Sequence, residues 1–543
     1  MKREAQMIIV SDLHLPLDAI EGDVCFMAKK TLKRLGIYPP DAEMHIFRRS
    51  VDARRRSDVH FVYSVAVTGA FSAGVLARIR EHRYPHIALA MESNPVVRIG
   101  AGRLTAPPVI VGAGPAGLFC ALLLAEHGYE PVLLERGGNV EERRAAVRRF
   151  AEHRILDPET NIQFGAGGAG TFSDGKLVTR VNDPLGAYVL RTFVRFGAPQ
   201  DILTQAKPHI GTDILGGVVS AMLHEVERLG GSVRYHTRLE DMICTGDVVS
   251  EAVTNCGNIP LGALVLATGH SARDTYRMLM KKELPLSAKA FSVGVRVEHL
   301  QSDIDEALYG DFAGHPALGH AEYHLSHNTH ERGVYSFCMC PGGQVVAAAS
   351  EVGGVVVNGM SNHARDGKNA NSAIAVSVFP GDFGGTPEGA IDFQRQIERA
   401  AFRAGGGDYA VPVSTLGDFL TGEGGTAPTR ILPTYMGGAA YRLASPDTYL
   451  PTFISAALRD AFPAFGKTIR GFDCADALLS GAETRTSAPI RIQRVAETGT
   501  VPGYRNLFPA GEGAGYAGGI TSAALDGART ALALMSAYAP LQK

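Results

Sequence analysis

Residues 108–117 read Pro108-Val-Ile-Val-Gly-Ala-Gly-Pro-Ala-Gly117, and Leu118–His127 continues as an apolar run stopped by Gly128. A short apolar stretch entering glycines and then a helical run is the setting in which GxGxxG binds a dinucleotide. The three glycines differ in role. Gly112 permits the tight turn, Gly114 lets backbone approach a pyrophosphate, and Gly117 lets helix and strand pack closely. Pro115 and Ala116 open the helix, whose N–H groups and positive dipole end face the phosphates. A second apolar stretch, Pro131–Leu134, ends in Glu135, 23 residues after Gly112, with Arg136 next. That is where the motif needs an acid for a ribose hydroxyl. Strand, turn, helix, second strand and acid together predict a Rossmann-type dinucleotide unit rather than a glycine packing turn.

Working outward, glycine makes up 63 of the 543 residues, without a collagen period, and gathers at a few places. The second cluster is Phe164-Gly-Ala-Gly-Gly-Ala-Gly-Thr-Phe-Ser-Asp-Gly-Lys176. It also matches GxGxxG, but only Asn161-Ile-Gln-Phe164 precedes it and no second strand with a terminal acid succeeds it. The expectation is an extended loop over the cofactor, bringing Gly168, Thr171, Phe172, Ser173, Gly175 and Lys176 against it. A third cluster lies in Asn506-Leu-Phe-Pro-Ala-Gly-Glu-Gly-Ala-Gly515, which runs through Gly518, Gly519 and Ile520 into a helical stretch.

This third segment resembles the closing FAD motif of the two-dinucleotide-binding-domain flavoproteins. The resemblance implies that Gly511 and Glu512 meet the ribityl-phosphate portion and that the helix beginning at Gly519 and Ile520 points at the flavin. A positive dipole end there would stabilise the anionic reduced ring. Leu264-Val-Leu-Ala-Thr-Gly269 looks like the same superfamily's strand end, which adds Ala267, Thr268 and Gly269 to the cofactor contacts. More closely, the stretches Phe47–Arg54, Gly170–Leu177, Ser336–Gly343, His363–Asn371 and Glu483–Ser487 resemble a bacterial family of FAD-dependent dehydrogenases over nearly the whole chain. This closer resemblance implies FAD binding, redox chemistry and an α/β fold. The expected fold has a Rossmann-type, glutathione-reductase-like FAD domain, a mixed α+β substrate domain and a small N-terminal α/β, ferredoxin-like domain. The expected boundaries are 1–100 for the N-terminal domain, 101–285 for the first part of the FAD domain, 286–484 for the middle domain and 485–543 for the returning FAD segment.

In the N-terminal stretch, Met7–Val10, Met44–Val51 and Val59–Val67 read as strands, Gly22–Leu35 as a helix, and Gly100–Pro107 as a linker. The basic run Arg48, Arg49, Arg54, Arg55, Arg56 reads first as a solvated edge, since charges on edges prevent aggregation. An RNA contact is its alternative. Lysine plus arginine total 53 against 55 acids, a net charge of −2, which counts against a general nucleic-acid binder. The seven cysteines form no disulfide framework, the first residues make a poor secretory signal, and no apolar run is long enough to span a membrane. A cytoplasmic protein without membrane partner or metal centre is the expectation.

For chemistry, Cys338 and Cys340 are two apart, so on a strand they share a face. Core packing is the plainer reading, and a redox pair the other. His363 and the polar run to Asn371 suit a loop holding an anionic small-molecule substrate or, equally, a solvated surface loop, and Lys176 could reach flavin oxygens or substrate. Glu483, Arg485 and Thr486 lie just before the returning FAD segment, and Arg485 is the first choice for anchoring substrate. His270 reads as a helix cap or an acid–base group. The function expected is hydride transfer between a small-molecule substrate and flavin, with NAD(P)H as a transient donor. A hydroxylase is the enzymatic alternative, from Thr268-Gly-His-Ser-Ala-Arg273. The absence of tryptophan excludes the tryptophan motif of flavin halogenases.

Overall fold

The structure, a computed structural model, describes residues 6–90, 94–179, 183–329, 331–438 and 440–541. The opening residues Met1–Ala5, part of the leader reading, lie outside that range. The chain forms two compact units, one of residues 1–94, 182–209 and 305–321 and one of the remainder.

The first unit alternates strand and helix because its hydrophobic periods do. In Gln6–Leu15 the residues Ile8, Val10, Leu13 and Leu15 are buried, and a bulge between Val10 and Leu13 restores the inward register after Asp12. The helix Glu21–Arg34 buries Val24, Ala28 and Leu32 at four-residue spacing, with Glu21 and Asp23 in its first turn and Lys33 and Arg34 in its last. Strands Glu43–Asp52 and His60–Gly69, helix Ala73–Arg80 and strand Ile87–Leu89 complete the order strand-helix-strand-strand-helix-strand. The sheet runs second, third, first, fourth, with every pair antiparallel. The expected stretch 1–100 omits two later segments that fold with this unit. One of them covers the edge that the basic strand would otherwise expose. The Arg49 N–H donates to the Thr204 carbonyl at 2.7 Å, and the Ala206 N–H donates to the Arg49 carbonyl at 2.8 Å. The arginine side chains are exposed, as a solvated edge has them, and the backbone of that edge is paired at the bridge of Arg49 with Gln205.

The second unit contains a parallel sheet ordered Leu507–Pro509, Ala263–Leu266, Pro108–Val111, Val132–Leu134, Ser232–Arg234. Its central strands are apolar throughout, as strands covered on both faces must be. Helices Pro115–Glu126 and Ile520–Ala537 lie against each other, and a methyl group on Gly527 would sit 2.0 Å from the Ala116 carbonyl oxygen. Beside this sheet is a seven-stranded one, ordered Ser326–Asn328, Gly333–Cys340, Asn369–Val378, Phe291–Leu300, Leu478–Glu483, Val411–Thr415, Tyr441–Leu443. The expected linker at Gly100–Pro107 is packed instead. Gly102–Arg103 pairs with Tyr538–Ala539, and Leu104 is buried. Among the described residues no helix is long and apolar enough to cross a membrane.

Candidate functional site

The parallel sheet ends in loops that wall a cavity of about 330 Å³. Gly112 and Gly114 from the first turn, Pro115 and Ala116 at the helix start, and Glu135 and Arg136 after the second strand all line it. Ala267, Thr268 and Gly269 line it from the end of the strand Ala263–Leu266, Gly168, Ser173 and Lys176 from the second glycine cluster, and Glu512, Gly519 and Ile520 from the returning segment. Stretches far apart in sequence thus meet at one cavity. Two of the contributors are N-termini of long helices, which present N–H donors to an anion.

The local geometry fits a dinucleotide. A methyl group on Gly117 would stand 1.9 Å from the Gly112 carbonyl oxygen, and one on Gly112 would stand 2.4 Å from that of Ala267. Gly117 is therefore an internal packing residue and does not line the cavity. Gly114 differs, because the nearest atom to a methyl group there is the Gly168 Cα at 3.8 Å. Its bareness serves whatever enters the cavity rather than the protein's own packing.

Glu135 is buried, and its carboxylate accepts three backbone N–H bonds. Ala113 donates at 2.9 Å, Gly137 at 3.0 Å and Gly165 at 2.9 Å. The acid that the motif reserves for ribose also ties the two glycine clusters together. Arg136 stacks over the Phe164 ring at 4.1 Å and pairs with Glu159 and Asp274.

The second glycine cluster is a loop with one 3-10 turn at Ala169–Phe172 rather than a second dinucleotide turn. Its glycines were expected to make room for a flavin ring. Several make room for protein: a methyl group on Gly168 would meet the Gly114 Cα at 2.9 Å, and one on Gly170 would meet Ile520 at 2.8 Å. The loop packs onto both helix starts. Thr171, Phe172 and Gly175 do not line the cavity, which corrects their expected contacts. Phe172 packs with Ile162, Val346 and Val356, Thr171 has a buried hydroxyl oxygen without a partner, and Gly175 lies against Gly211. Gly511 is likewise set back, against Ala116.

The loop is shaped by a residue the sequence did not single out. Arg143 is fully buried and donates to the carbonyls of Asn161 at 2.8 Å, Ile162 at 2.7 Å and Ala166 at 2.7 Å. Burial lowers its guanidinium to about 10. It lies in the charged helix Val140–His153, where periodicity suggests only a solvated arginine.

Toward the seven-stranded sheet the cavity is lined by Phe337, Cys338, Asn358, Glu483, Arg485 and Thr486. Arg485 is buried, and it is already held: Nε donates to Glu398 at 3.1 Å and a terminal nitrogen to Ser350 Oγ at 2.6 Å. Glu398 also receives Arg273 at 2.8 Å, so two guanidinium groups share one carboxylate. Glu483 is paired with Arg296 at 2.9 Å, and its burial raises its carboxyl above the usual value. Lys176 reaches Asp174 and Glu322, each at 2.9 Å.

His363 is corrected. Its backbone N–H donates to Asp213 at 2.8 Å, its ring bonds the Ile210 carbonyl, and it does not line the cavity. Cys340 is buried behind the wall that Cys338 forms.

His270 lines the cavity but caps no helix, since Ala272 occupies the N-cap of the helix it precedes. Burial, with Arg485 and Arg273 nearby, takes its imidazole down to about 3, whereas burial pushes Glu512 up to about 7. The two stand 3.8 Å apart. Thr237, Arg238, Leu239 and Asn358 also line the cavity and carry no motif that would have flagged them. A separate group, His14, Asp52 and His60, brings three possible metal-ligand atoms within 4.8 Å in the first unit, although Arg54 already holds Asp52.

The fold and this cavity define an FAD-dependent protein built on a Rossmann-like nucleotide sheet. The family described as FAD-dependent protein, C-terminal domain-like, matches residues 290–486. An NAD(P)-binding Rossmann-like domain matches 110–154, and a domain of unknown function matches 7–68. An uncharacterized protein of Clostridium beijerinckii is 43% identical over 528 residues, covering 96% of this chain and 98% of that protein. The chain belongs to the family of that protein. Among solved structures, CtdE in complex with FAD is 11% identical with a TM-score of 0.32, covering 79% of this chain and 84% of that one. Glycine oxidase of Bacillus cereus is 11% identical with a TM-score of 0.33, covering 80% and 98%. L-amino acid deaminase of Proteus vulgaris is 11% identical with a TM-score of 0.33, covering 84% and 97%.

Proposed function

We propose that this FAD-dependent protein is an oxidoreductase, a dehydrogenase that moves a hydride between an anionic small molecule and the flavin. We also read its nucleotide-binding unit as glutathione-reductase-like, of the two-dinucleotide-binding-domain type, and its N-terminal unit as ferredoxin-like. The strand order and antiparallel pairing of the N-terminal sheet support the last reading.

One observation carries the functional proposal. A single cavity joins two helix N-termini and the Gly112–Gly117 turn to a wall holding Arg485, Glu483 and Cys338. Pyrophosphate would rest at Gly114 and the helix start, ribose at the remaining lone pair of Glu135, and the adenine end beside Arg136 and Arg238. Glu512, Gly519 and Ile520 would hold the flavin end.

Bound FAD supplies a two-electron acceptor, and the side chains do the rest. Arg485 lines this wall, with Arg273 held behind it by Glu398 and Glu351, and its guanidinium is the cation placed to meet a carboxylate or phosphate of the substrate. Ion pairing fixes Arg485 and Glu483 before substrate arrives, so little reorganisation is needed to orient it. His270, kept neutral by burial and its arginine neighbours, offers hydrogen bonds, and the raised carboxyl of Glu512 beside it is the group placed to take or return a proton.

The test is anaerobic reduction of the purified yellow protein by NADH, NADPH and a set of anionic metabolites, followed at the flavin band. Bleaching by an anionic metabolite is expected, with an at least tenfold higher KM in Arg485→Met. If only a nicotinamide bleaches the flavin and Arg485→Met leaves every KM unchanged, substrate is not anchored at this wall.

A further inference from the structure

Cys338 is the one cysteine that lines the cavity, and its backbone is unusual. It has a φ of 46° in the strand Gly333–Cys340, a left-handed conformation rare for a residue with a side chain. The strand bulges there. Phe337 pairs with Ala373 and Cys340 with Asn371, so two residues, Cys338 and Met339, stand opposite Ser372 alone. In a flat strand, Cα atoms two residues apart are about 6.8 Å apart, at the far limit of what a disulfide spans. The left-handed turn breaks that flat geometry, and the Cys340 thiol folds back to donate to the Cys338 carbonyl oxygen at 3.4 Å. The expectation that the pair shares a face as residues of a regular strand is thereby corrected: a bulge, not strand alternation, sets their relation.

The surroundings favour a thiolate at Cys338. The guanidinium of Arg296 donates to the Cys338 carbonyl at 3.2 Å. The Cys340 side chain beside it lowers the Cys338 thiol, helped by the charges of Arg296 and Lys176 and opposed by burial and Glu483. Asp174 faces Cys340, and Glu512 lies close enough for Cys338 to act on it. One thiol is thus held reactive at the cavity while its neighbour is held protonated behind it. That is the division between an attacking and a resolving cysteine.

We propose that Cys338 and Cys340 form a redox-active dithiol that exchanges two electrons with the bound FAD. Cys338 first releases its proton to solvent as it becomes the thiolate. On oxidation the Cys340 S–H bond breaks and one S–S bond forms, and two electrons and the Cys340 proton pass to the oxidised flavin. Reduction runs the same balance backwards. The pair then serves as a second two-electron store beside the flavin. The inference rests on the flavin end of FAD lying against this wall.

Anaerobic titration of the holoprotein with dithionite tests it. Wild type takes up twice the reductant per flavin that Cys338→Ser or Cys340→Ser takes up. The tryptic peptide 333–365 contains both cysteines and no other, so its mass after iodoacetamide reports their state in the wild type without any variant. No label is expected in the air-oxidised protein, and two labels after reduction. Equal reductant uptake in wild type and variants, with both thiols labelled before and after reduction, overturns the dithiol while leaving the cofactor reading intact. A full uptake of reductant by the thiols that leaves the flavin band unchanged overturns instead the placement of the flavin against this wall, and the inference with it.

Discussion

The Glu135 carboxylate gathers N–H groups from the first glycine turn, the end of the second strand and the second glycine loop. Glu135→Gln replaces one acceptor oxygen with a donor that must face another donor. Leaving a buried N–H unpaired costs about 1–3 kcal/mol, so the variant should show a lower Tm and elute from gel filtration without flavin. Arg143→Lys should detach the same loop, because one ammonium cannot reach three carbonyls in a fork. Flavin content and Tm check both. Glu512 predicts a pH dependence. Its carboxyl, raised by burial from 4.5 to about 7, binds a proton in the folded protein that the unfolded chain releases between these values. Stability of the flavin-free protein therefore falls as pH rises from about 4.5 through 7. Glu512→Gln should match wild type near pH 4.5 and melt higher at pH 8. At this scale the sequence revealed Glu135 through its spacing, but not its three bonds, which come from loops distant in the chain. Arg143 was illegible for a physical reason: it is an arginine in a charged helix until carbonyls of another segment converge on it.

Among elements, the first turn separates folding from binding. Gly117→Ala forces a methyl group onto a carbonyl oxygen and should destabilise the sheet by about 3 kcal/mol or more. Gly114→Val projects into open cavity, so it should fold with a Tm near that of the flavin-free wild type yet bind no FAD. Thermal melts with and without added FAD distinguish the two. This turn was readable because its chemistry is local: a strand, three glycines and a helix, all within a few residues. The second cluster matched the same text but failed the test of flanking elements, and the structure accordingly makes it a loop. Its glycines clear space largely for the two helix starts, which no local reading of that segment could show. Thr237, Arg238 and Asn358 reach the cavity only through sheet topology, so their sequence neighbourhoods carry no sign of it.

At the scale of the molecule, the units interleave along the chain. A fragment of residues 1–100 lacks the Thr204–Ala206 segment that pairs with its basic strand. It should melt lower than the same unit in the intact protein, and association that rises with concentration should result from the open edge. Circular dichroism melts and sedimentation at several concentrations check this. The sequence placed an independent N-terminal unit but not its later segments, because 182–209 and 305–321 carry no pattern tying them to it. The parallel sheet poses the same problem over a longer span. Its outer strand Leu507–Pro509, and the helix Ile520–Ala537 that closes the cofactor cavity, come some 400 residues after the first glycine turn. During translation the ribosome must deliver some 400 residues beyond the first glycine turn before that cavity is closed. A nascent chain interrupted before residue 507 therefore holds an open sheet edge and an uncovered apolar helix, with no means of capturing flavin to stabilise itself.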